Sequence, residues 1–249
     1  MNATLAIDQS VVASIVALLQ GRSSEEIEAI LEEVRSQLAA SALPVLPATS
    51  TLDEFFSWQV KVLDNKGLAT KKQLEPLRPL LAKLPAPTWT DGRIPFVIVP
   101  ETSLGLNERM SKVILDGKTG KNWLDASKIT NISTAPAGPY LAVDVEDGRA
   151  MQNQAPRDCQ TQFEEQGRLG LTVDEGMALL TYAPETLKHH YLDLPGSRYD
   201  GHVPYLYVVG VRPWLYAFWR DDAVPCYGSA SCGSRLGLSD LETLEPLAP

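Results

Sequence analysis

The sequence predicts an α+β fold, a mixed or antiparallel sheet flanked by helices, with an N-terminal helical hairpin ahead of it. Three observations carry this. Apolar residues in the first forty positions recur at helical spacing. Two short β-branched runs, 94–99 and 140–145, have the length and composition of buried strands, and residues 204–220 alternate as two strands about a short turn. With 249 residues, 44% hydrophobic and 21% charged, the chain can bury a core as one or two domains without disulfide or metal staples. The expected division is a helical hairpin at 1–45, an α+β domain at 52–238 and a C-terminal tail at 239–249.

In the hairpin, Val11, Val12, Ile15, Val16 and Leu19 share one helical face, and Gly21 is placed to stop it. Ser23 and Glu26 have the spacing of a capping box for a second helix, whose apolar stripe is Ile27, Ile30, Leu31, Val34 and Leu38. Its other face carries Glu25, Glu28, Glu32 and Glu33. Residues 1–50 hold six acidic and two basic side chains, so −4 of the net −9 sits on a fifth of the chain. These acidic helices are the expected surface for a protein partner or for self-association. Pro44 and Pro47 then break the helical period and mark the domain boundary, since each fixes its own φ and pushes the preceding residue out of the helical region.

A helix is expected over 52–63, with Phe55, Phe56, Val60 and Leu63 on its apolar side and Gly67 beyond its end. Residues 70–84 read as two short helical pieces interrupted at Pro76 and Pro79. The run 94–99 reads as a strand buried on both faces, and 140–145 has the same character. Further helices are expected at 156–166 and after Thr172, which can cap, with Asp174 and Glu175 complementing the helix dipole and Pro184 closing the helix. The strands 204–210 and 214–220 form an antiparallel hairpin turning through Val211, Arg212 and Pro213. Period two sets Tyr205, Tyr207 and Val209 against Leu206 and Val208. It sets Trp214, Tyr216 and Phe218 against Leu215, Ala217 and Trp219. Both faces are apolar, which places this hairpin inside its sheet.

Composition also excludes. A net charge of −9 argues against nucleic acid, whose backbone is gripped by clustered Lys and Arg. Three cysteines, Cys159, Cys226 and Cys232, are too few and odd in number for a disulfide framework, which fits a reducing cytoplasm. The apolar stretch 11–19 is about half the roughly 20 residues a membrane span needs, and Asp8 precedes it where a signal peptide would be basic. No metal and no cofactor is implied. Cys226 and Cys232 lack zinc spacing, Asp116-Gly-Lys-Thr-Gly-Lys121 lacks the Walker spacing and reads as a solvated turn, and neither a nucleophile elbow nor a dinucleotide fingerprint occurs. Asp144 and Glu146 would share one strand face, a coincidence common in an acidic chain.

The most suggestive local features flank the hairpin. Gly196-Ser-Arg198 precedes it, and Gly233-Ser-Arg235 follows it within the small-residue run 228–237, whose amides could form an anion-binding nest. The expected ligand-binding residues are Ser197, Arg198, Ser231 and Arg235, with Tyr205, Trp214 and Trp219 as an aromatic wall, and the expected ligand is small and anionic. The leading function is therefore a cytoplasmic binding or protein-interaction module without an activity of its own. The alternative is a hydrolase- or transferase-type enzyme in which Cys232 is the nucleophile, His202 or another histidine its base, and Arg198 or Arg235 a stabiliser of negative charge.

The order of several blocks carries a resemblance. Arg93-Ile-Pro-Phe-Val-Ile-Val99, Pro139-Tyr-Leu-Ala-Val-Asp-Val-Glu-Asp-Gly148, Leu171-Thr-Val-Asp-Glu-Gly-Met-Ala-Leu179, Gly196-Ser-Arg198 and the hairpin with its Ser-Cys-Gly-Ser-Arg tail resemble a bacterial family of uncharacterised proteins, a domain of unknown function, from about Phe55 to Gly237. The resemblance implies one structural unit across that span, with the N-terminal hairpin as an extra. It implies no activity, and no site residue comes with it.

Overall fold

The computed structural model describes residues 51–85 and 92–242, all within one unit of the chain, Pro44–Pro249. The expected helical hairpin at 1–45 lies outside the described residues, as does most of the expected tail. The described residues are α+β, with helices packed against antiparallel and mixed sheets. Among them no helix is long and apolar enough to cross a membrane.

Helix α1, Leu52–Asn65, opens on a capping box between Thr51 and Glu54 and buries Phe55, Phe56, Val60 and Leu63 as its periodicity predicts. A single turn, α2 (Lys71–Leu74), runs straight into a 3₁₀ segment, Glu75–Lys83. Pro76 enters that segment at its start and Pro79 lies inside it, which accounts for an α-helix of only one turn. Helix α3, Leu106–Ser111, follows the first strand.

The first sheet is built on β1 (Arg93–Val99) and β6 (Tyr140–Glu146), antiparallel and in register from Arg93↔Glu146 to Val99↔Tyr140. β1 is an edge strand, yet its free edge is closed. The buried side-chain amide of Gln59 donates to the Phe96 carbonyl (3.0 Å) and accepts from the Ile98 amide (2.7 Å), standing in for a neighbouring strand. The Tyr182 hydroxyl donates to the Ile98 carbonyl at 2.8 Å. On the far side of β6 lie β13 (Ser231–Cys232) and β14 (Ser234–Gly237), with β7 (Leu169–Gly170) beyond β13.

Between these lie the pieces of the polar stretch. β2 (Ile114–Leu115) and β3 (Lys118–Thr119) form a tight hairpin through Asp116 and Gly117, both at positive φ, and β4 (Lys121–Asn122) and β5 (Ile129–Asn131) follow. The second sheet has the order β12-β8-β10-β11-β4, where β8 is Tyr191–Asp193, β10 Val203–Val209, β11 Arg212–Phe218 and β12 Tyr227–Ser229. β9 (Ser197–Tyr199) pairs with β5.

The β10–β11 hairpin is interior to its sheet, as its composition predicts, but two details differ. Its turn is Gly210–Val211, with Gly210 at φ 65°, and Arg212 and Pro213 already belong to β11. A two-residue hairpin turn needs a residue that enters the left-handed region without strain, so glycine outranks proline here. Trp219 falls beyond the end of β11, does not share the core face of Leu215, and is 61% exposed. The small-residue run 228–237 is also not a loop. β12, β13 and β14 follow one another in it, and the chain passes at Ala230 from the second sheet to the first.

Two further helices complete the domain: α4, Pro156–Glu165, and α5, Val173–Tyr182. Nine of the ten residues of α5 are buried, so it is the central helix rather than an amphipathic surface one. It packs on β1, α1 and β10. Leu194 comes so close that a Cβ on Gly176 would meet its side chain at 2.3 Å, which only glycine permits.

A buried helix must find partners for its first amides inside the protein. Thr172 accepts from the Glu175 amide, and Glu175 accepts from the Thr172 amide at 2.7 Å, the reciprocal capping box. Glu175 is itself fully buried and is neutralised by Arg235, which donates through Nε (2.5 Å) and Nη2 (2.8 Å). Tyr140 donates its hydroxyl to the same carboxylate at 3.1 Å. Removing one partner of such a pair strands the other charge away from water. Arg235→Met is expected to lower stability by about 3–5 kcal/mol in urea unfolding, and adding Glu175→Gln is expected to recover part of that loss.

Candidate functional site

Both Gly-Ser-Arg triplets converge on the N-terminus of α5 rather than on a ligand. From one side Gly196 donates its amide to the Leu171 carbonyl (2.9 Å), and the buried Ser197 hydroxyl accepts from the Val173 amide (3.0 Å) while donating to Asn131 Oδ1 (2.6 Å). From the other side Arg235 holds Glu175 and donates to the Gly170 carbonyl at 3.0 Å. Arg198 is spent on the carbonyls of Pro195 and Ser197 (2.8 Å each) and on Gln160 Oε1 (2.7 Å), and burial lowers its pKa. Of the expected ligand-binding residues, Ser197, Arg198 and Arg235 thus spend these donors inside the protein, where the small residues serve close packing of strands. Ser231 lies elsewhere, under Arg168.

The expected Cys232 centre is not assembled. Cys232 is fully buried in the apolar core, and burial, reinforced by Glu175, pushes its thiol up to about 12. Among the described residues it makes no hydrogen bond to a histidine. His202 donates from Nδ1 to the Asp200 carbonyl (3.1 Å) and rests on Trp219, ring centroids 4.3 Å apart. His190 is buried against the Asp147 carbonyl at 2.8 Å. All three cysteines are free, and Cys226 alone of them is exposed.

Two surfaces carry side chains the core does not use. The first is the outer face of the second sheet. Leu192, Leu206 and Leu215 point into the core, which leaves Tyr205, Tyr207, Trp214, Tyr216 and Phe218 together on the opposite face through the register Tyr205↔Tyr216 and Tyr207↔Trp214. Tyr191 and Tyr227 join them edge-on, each with its ring 5.1–6.1 Å from a neighbour. Trp123 stacks on Trp214 at 5.3 Å, and Lys121 lies over the Trp214 ring. Trp123 is 63% exposed, and Val209, Val211, Tyr216, Phe218 and Trp219 are also exposed. Trp214, expected to wall a pocket, belongs to this face, and Tyr205 is buried on it, with the rings of Tyr207, Tyr216 and Tyr227 4.8–6.1 Å away.

The second surface is a cleft of about 520 Å³ on the first sheet, beside α4. Its frame is an irregularity in β6. Pro95 falls opposite Asp144 in the β1–β6 register and has no N–H to offer it. Asp144 takes a left-handed conformation, φ 54°, at a cost of about 1–3 kcal/mol, and its carbonyl instead accepts from Arg168 Nη2 (2.8 Å) and the Gly233 amide (3.2 Å). Its carboxylate receives Arg93 through two bonds of 2.5 Å and Arg168 Nη1 at 2.6 Å, which holds it below the usual carboxylate range. Ser231 Oγ accepts from Arg168 Nε at 2.9 Å.

Residues 58–238 match a family of unknown function, DUF5701. The chain belongs to that family. No curated protein and no solved structure matches it. The DUF5701 span contains α5 with both triplets, the aromatic face and the cleft, and so agrees with the unit expected from the blocks between Phe55 and Gly237. The pairing of Asp144 with Glu146 on one strand face is present as read, but its setting was not legible: the only signal was Pro95 inside an otherwise regular strand, and its meaning depends on which residue lies opposite.

One buried carboxyl sits at the rim of the aromatic face. Asp193, on β8, borders a small hollow with Val203, Phe218, Trp219 and Tyr227, and burial raises its pKa from 3.8 to about 7. Between those values the folded chain holds a proton that the unfolded chain has released. Stability is therefore expected to fall as pH rises from about 4 to about 7 and to level off above, by at most about 4 kcal/mol. Asp193→Asn is expected to flatten that slope in urea unfolding measured across this range.

Proposed function

We propose that this protein is a cytoplasmic binding module without chemistry of its own, and that the outer aromatic face of the second sheet is where it meets a protein partner. The observation that carries this is the clustering of Trp123, Val209, Val211, Tyr216, Phe218 and Trp219, six of the ten exposed large apolar side chains among the described residues, on or beside one hairpin. Contiguous exposed apolar patches on soluble domains mark interaction sites, and interface hot spots are enriched in Trp and Tyr. Three free cysteines fit a reducing compartment. The acidic residues 24–40 are the second contact surface in this reading, available to a partner or to another copy of the chain. The alternative, an enzyme centred on Cys232, finds no support in a fully buried thiol.

The test compares the wild-type chain with Phe218→Ser/Trp219→Ser and with a chain lacking residues 1–45. Each is examined by crosslinking in the native host and by analytical ultracentrifugation. The double variant is expected to fold with an unchanged circular dichroism spectrum and to lose a crosslinked partner or an oligomeric state that the wild type has. The shortened chain is expected to remain folded and to lose contacts of its own. Identical crosslinks and identical sedimentation for wild type and double variant would sink the proposal.

A further inference from the structure

The cleft on the first sheet has a charge arrangement that its own contacts leave incomplete. Arg93, Glu146 and Ser231 form a row across three strands, with Arg93 and Ser231 both opposite Glu146. Directly opposed side chains of opposite charge normally pair. Here Arg93 passes Glu146 and closes on Asp144, two residues back along β6. Arg168 takes the same carboxylate. Two guanidiniums on one aspartate make a unit with one positive charge in excess. Arg93 spends Nε and Nη2 on it, and among the described residues its Nη1 makes no hydrogen bond.

Glu146 is the counterpart. Its carboxylate accepts only the amides of Gly148 and Ala150, both at 3.1 Å, so about half of its acceptor capacity is used. Among the described residues no Lys, Arg or His lies within ion-pair distance of it. It is nevertheless mostly removed from water, and burial raises its pKa. Arg93 and Arg168 act on it from beyond ion-pair distance, and a desolvated carboxylate with no cation in contact calls for one. The cleft thus presents an unpaired anionic group and an outward guanidinium edge as cross-strand neighbours. Beside them the cleft is lined by Phe163 and Met151, from the small apolar cluster under α4, which are 1% and 8% exposed and present only their edges to it. The volume, about 520 Å³, lies in the range of small-molecule sites.

We propose that this cleft binds a small zwitterion with an apolar substituent, an α-amino acid, its ammonium on Glu146, its carboxylate on the free edge of Arg93 and its side chain against Phe163 and Met151. A simple anion would meet the unpaired Glu146, and a simple cation would leave the Arg93 edge unused. Only a ligand with both charged groups on one carbon completes the row.

Isothermal titration calorimetry on the full chain at neutral pH decides it, with leucine, methionine and phenylalanine as probes, alongside N-acetyl-leucine, which lacks the ammonium, and leucinamide, which lacks the carboxylate. At least one free amino acid is expected to bind saturably, and for leucine each blocked form is expected to bind at least tenfold more weakly. Glu146→Gln keeps an acceptor for one backbone amide and is expected to cost at least tenfold in affinity. Ala150, exposed at the rim, gives a second handle if the Glu146 variant does not fold: Ala150→Trp is expected to block binding without changing the thermal midpoint. Absence of saturable heat with all three amino acids into the millimolar range overturns the proposal, as does equal affinity for leucine and N-acetyl-leucine, or undiminished binding to Ala150→Trp.

Discussion

Helix α5 is buried at nine of its ten residues, all but Asp174, and that places the amides of its first turn and its glutamate inside the protein. Glu175 and Arg235 answer this together. The carboxylate caps the helix through the Thr172 amide, and the guanidinium that neutralises it comes from β14, while Tyr140 on β6 contributes a third bond. Two strands of the first sheet are thereby tied to the helix that also packs under the second sheet. Ser197 reaches the same turn from β9. Without this cluster α5 would carry an uncompensated charge into the core, and the elements it organises would lose their common anchor.

The second sheet has one face committed to the core and one left over, whereas β1 and β6 of the first sheet are buried on both faces from Phe96 to Val99 and from Tyr140 to Val143 and leave only the Arg93–Glu146 end uncovered. The two uncovered surfaces differ in kind. On the first sheet the pleat turns Leu141, Val143 and Val145 inward and presents Asp144 and Glu146 to α4's side, where Arg93 and Arg168 gather. On the second sheet the same alternation sends Leu206 and Leu215 inward and the tyrosines and Trp214 outward. Neither outer surface is required to make the core. The apolar one has the features of a protein contact, and the charged one is small, concave and incompletely paired, which suits a small ligand.

Much of this architecture could be read from residues whose meaning is local. Thr172 followed by Asp174 and Glu175 announces a helix start wherever the helix ends up, and the 3.6-residue spacing of Phe55, Phe56, Val60 and Leu63 selects one buried side of α1. What could not be read depends on what lies opposite in space. A Gly-Ser-Arg triplet has the same composition whether its arginine meets a ligand or a buried glutamate, and only the β14–β6 register and the position of α5 decide for Glu175. The turn at Gly210 was legible and was outweighed by Pro213, which is tolerated in β11. Asp144 and Glu146 look ordinary in sequence because the proline that redirects Asp144 is 49 residues away, and only strand pairing brings them face to face.

One short stretch of chain runs directly between the two outer surfaces. Tyr227, on the aromatic face, and Ser231, under Arg168 in the cleft, are four residues apart on β12 and β13, about 13 Å of extended backbone. Between them Ala230 is fully buried, and its amide donates to the Asp193 carbonyl at 3.0 Å, so the crossing from one sheet to the other is bonded along its length and contains no loop to absorb a displacement. That crossing itself offers no hinge between the cleft and the aromatic face. Asp193 sits beside this crossing, paired in register with Ser229, and burial raises its pKa to about 7, so a change of charge near neutral pH falls on the strand pair that links the two sheets.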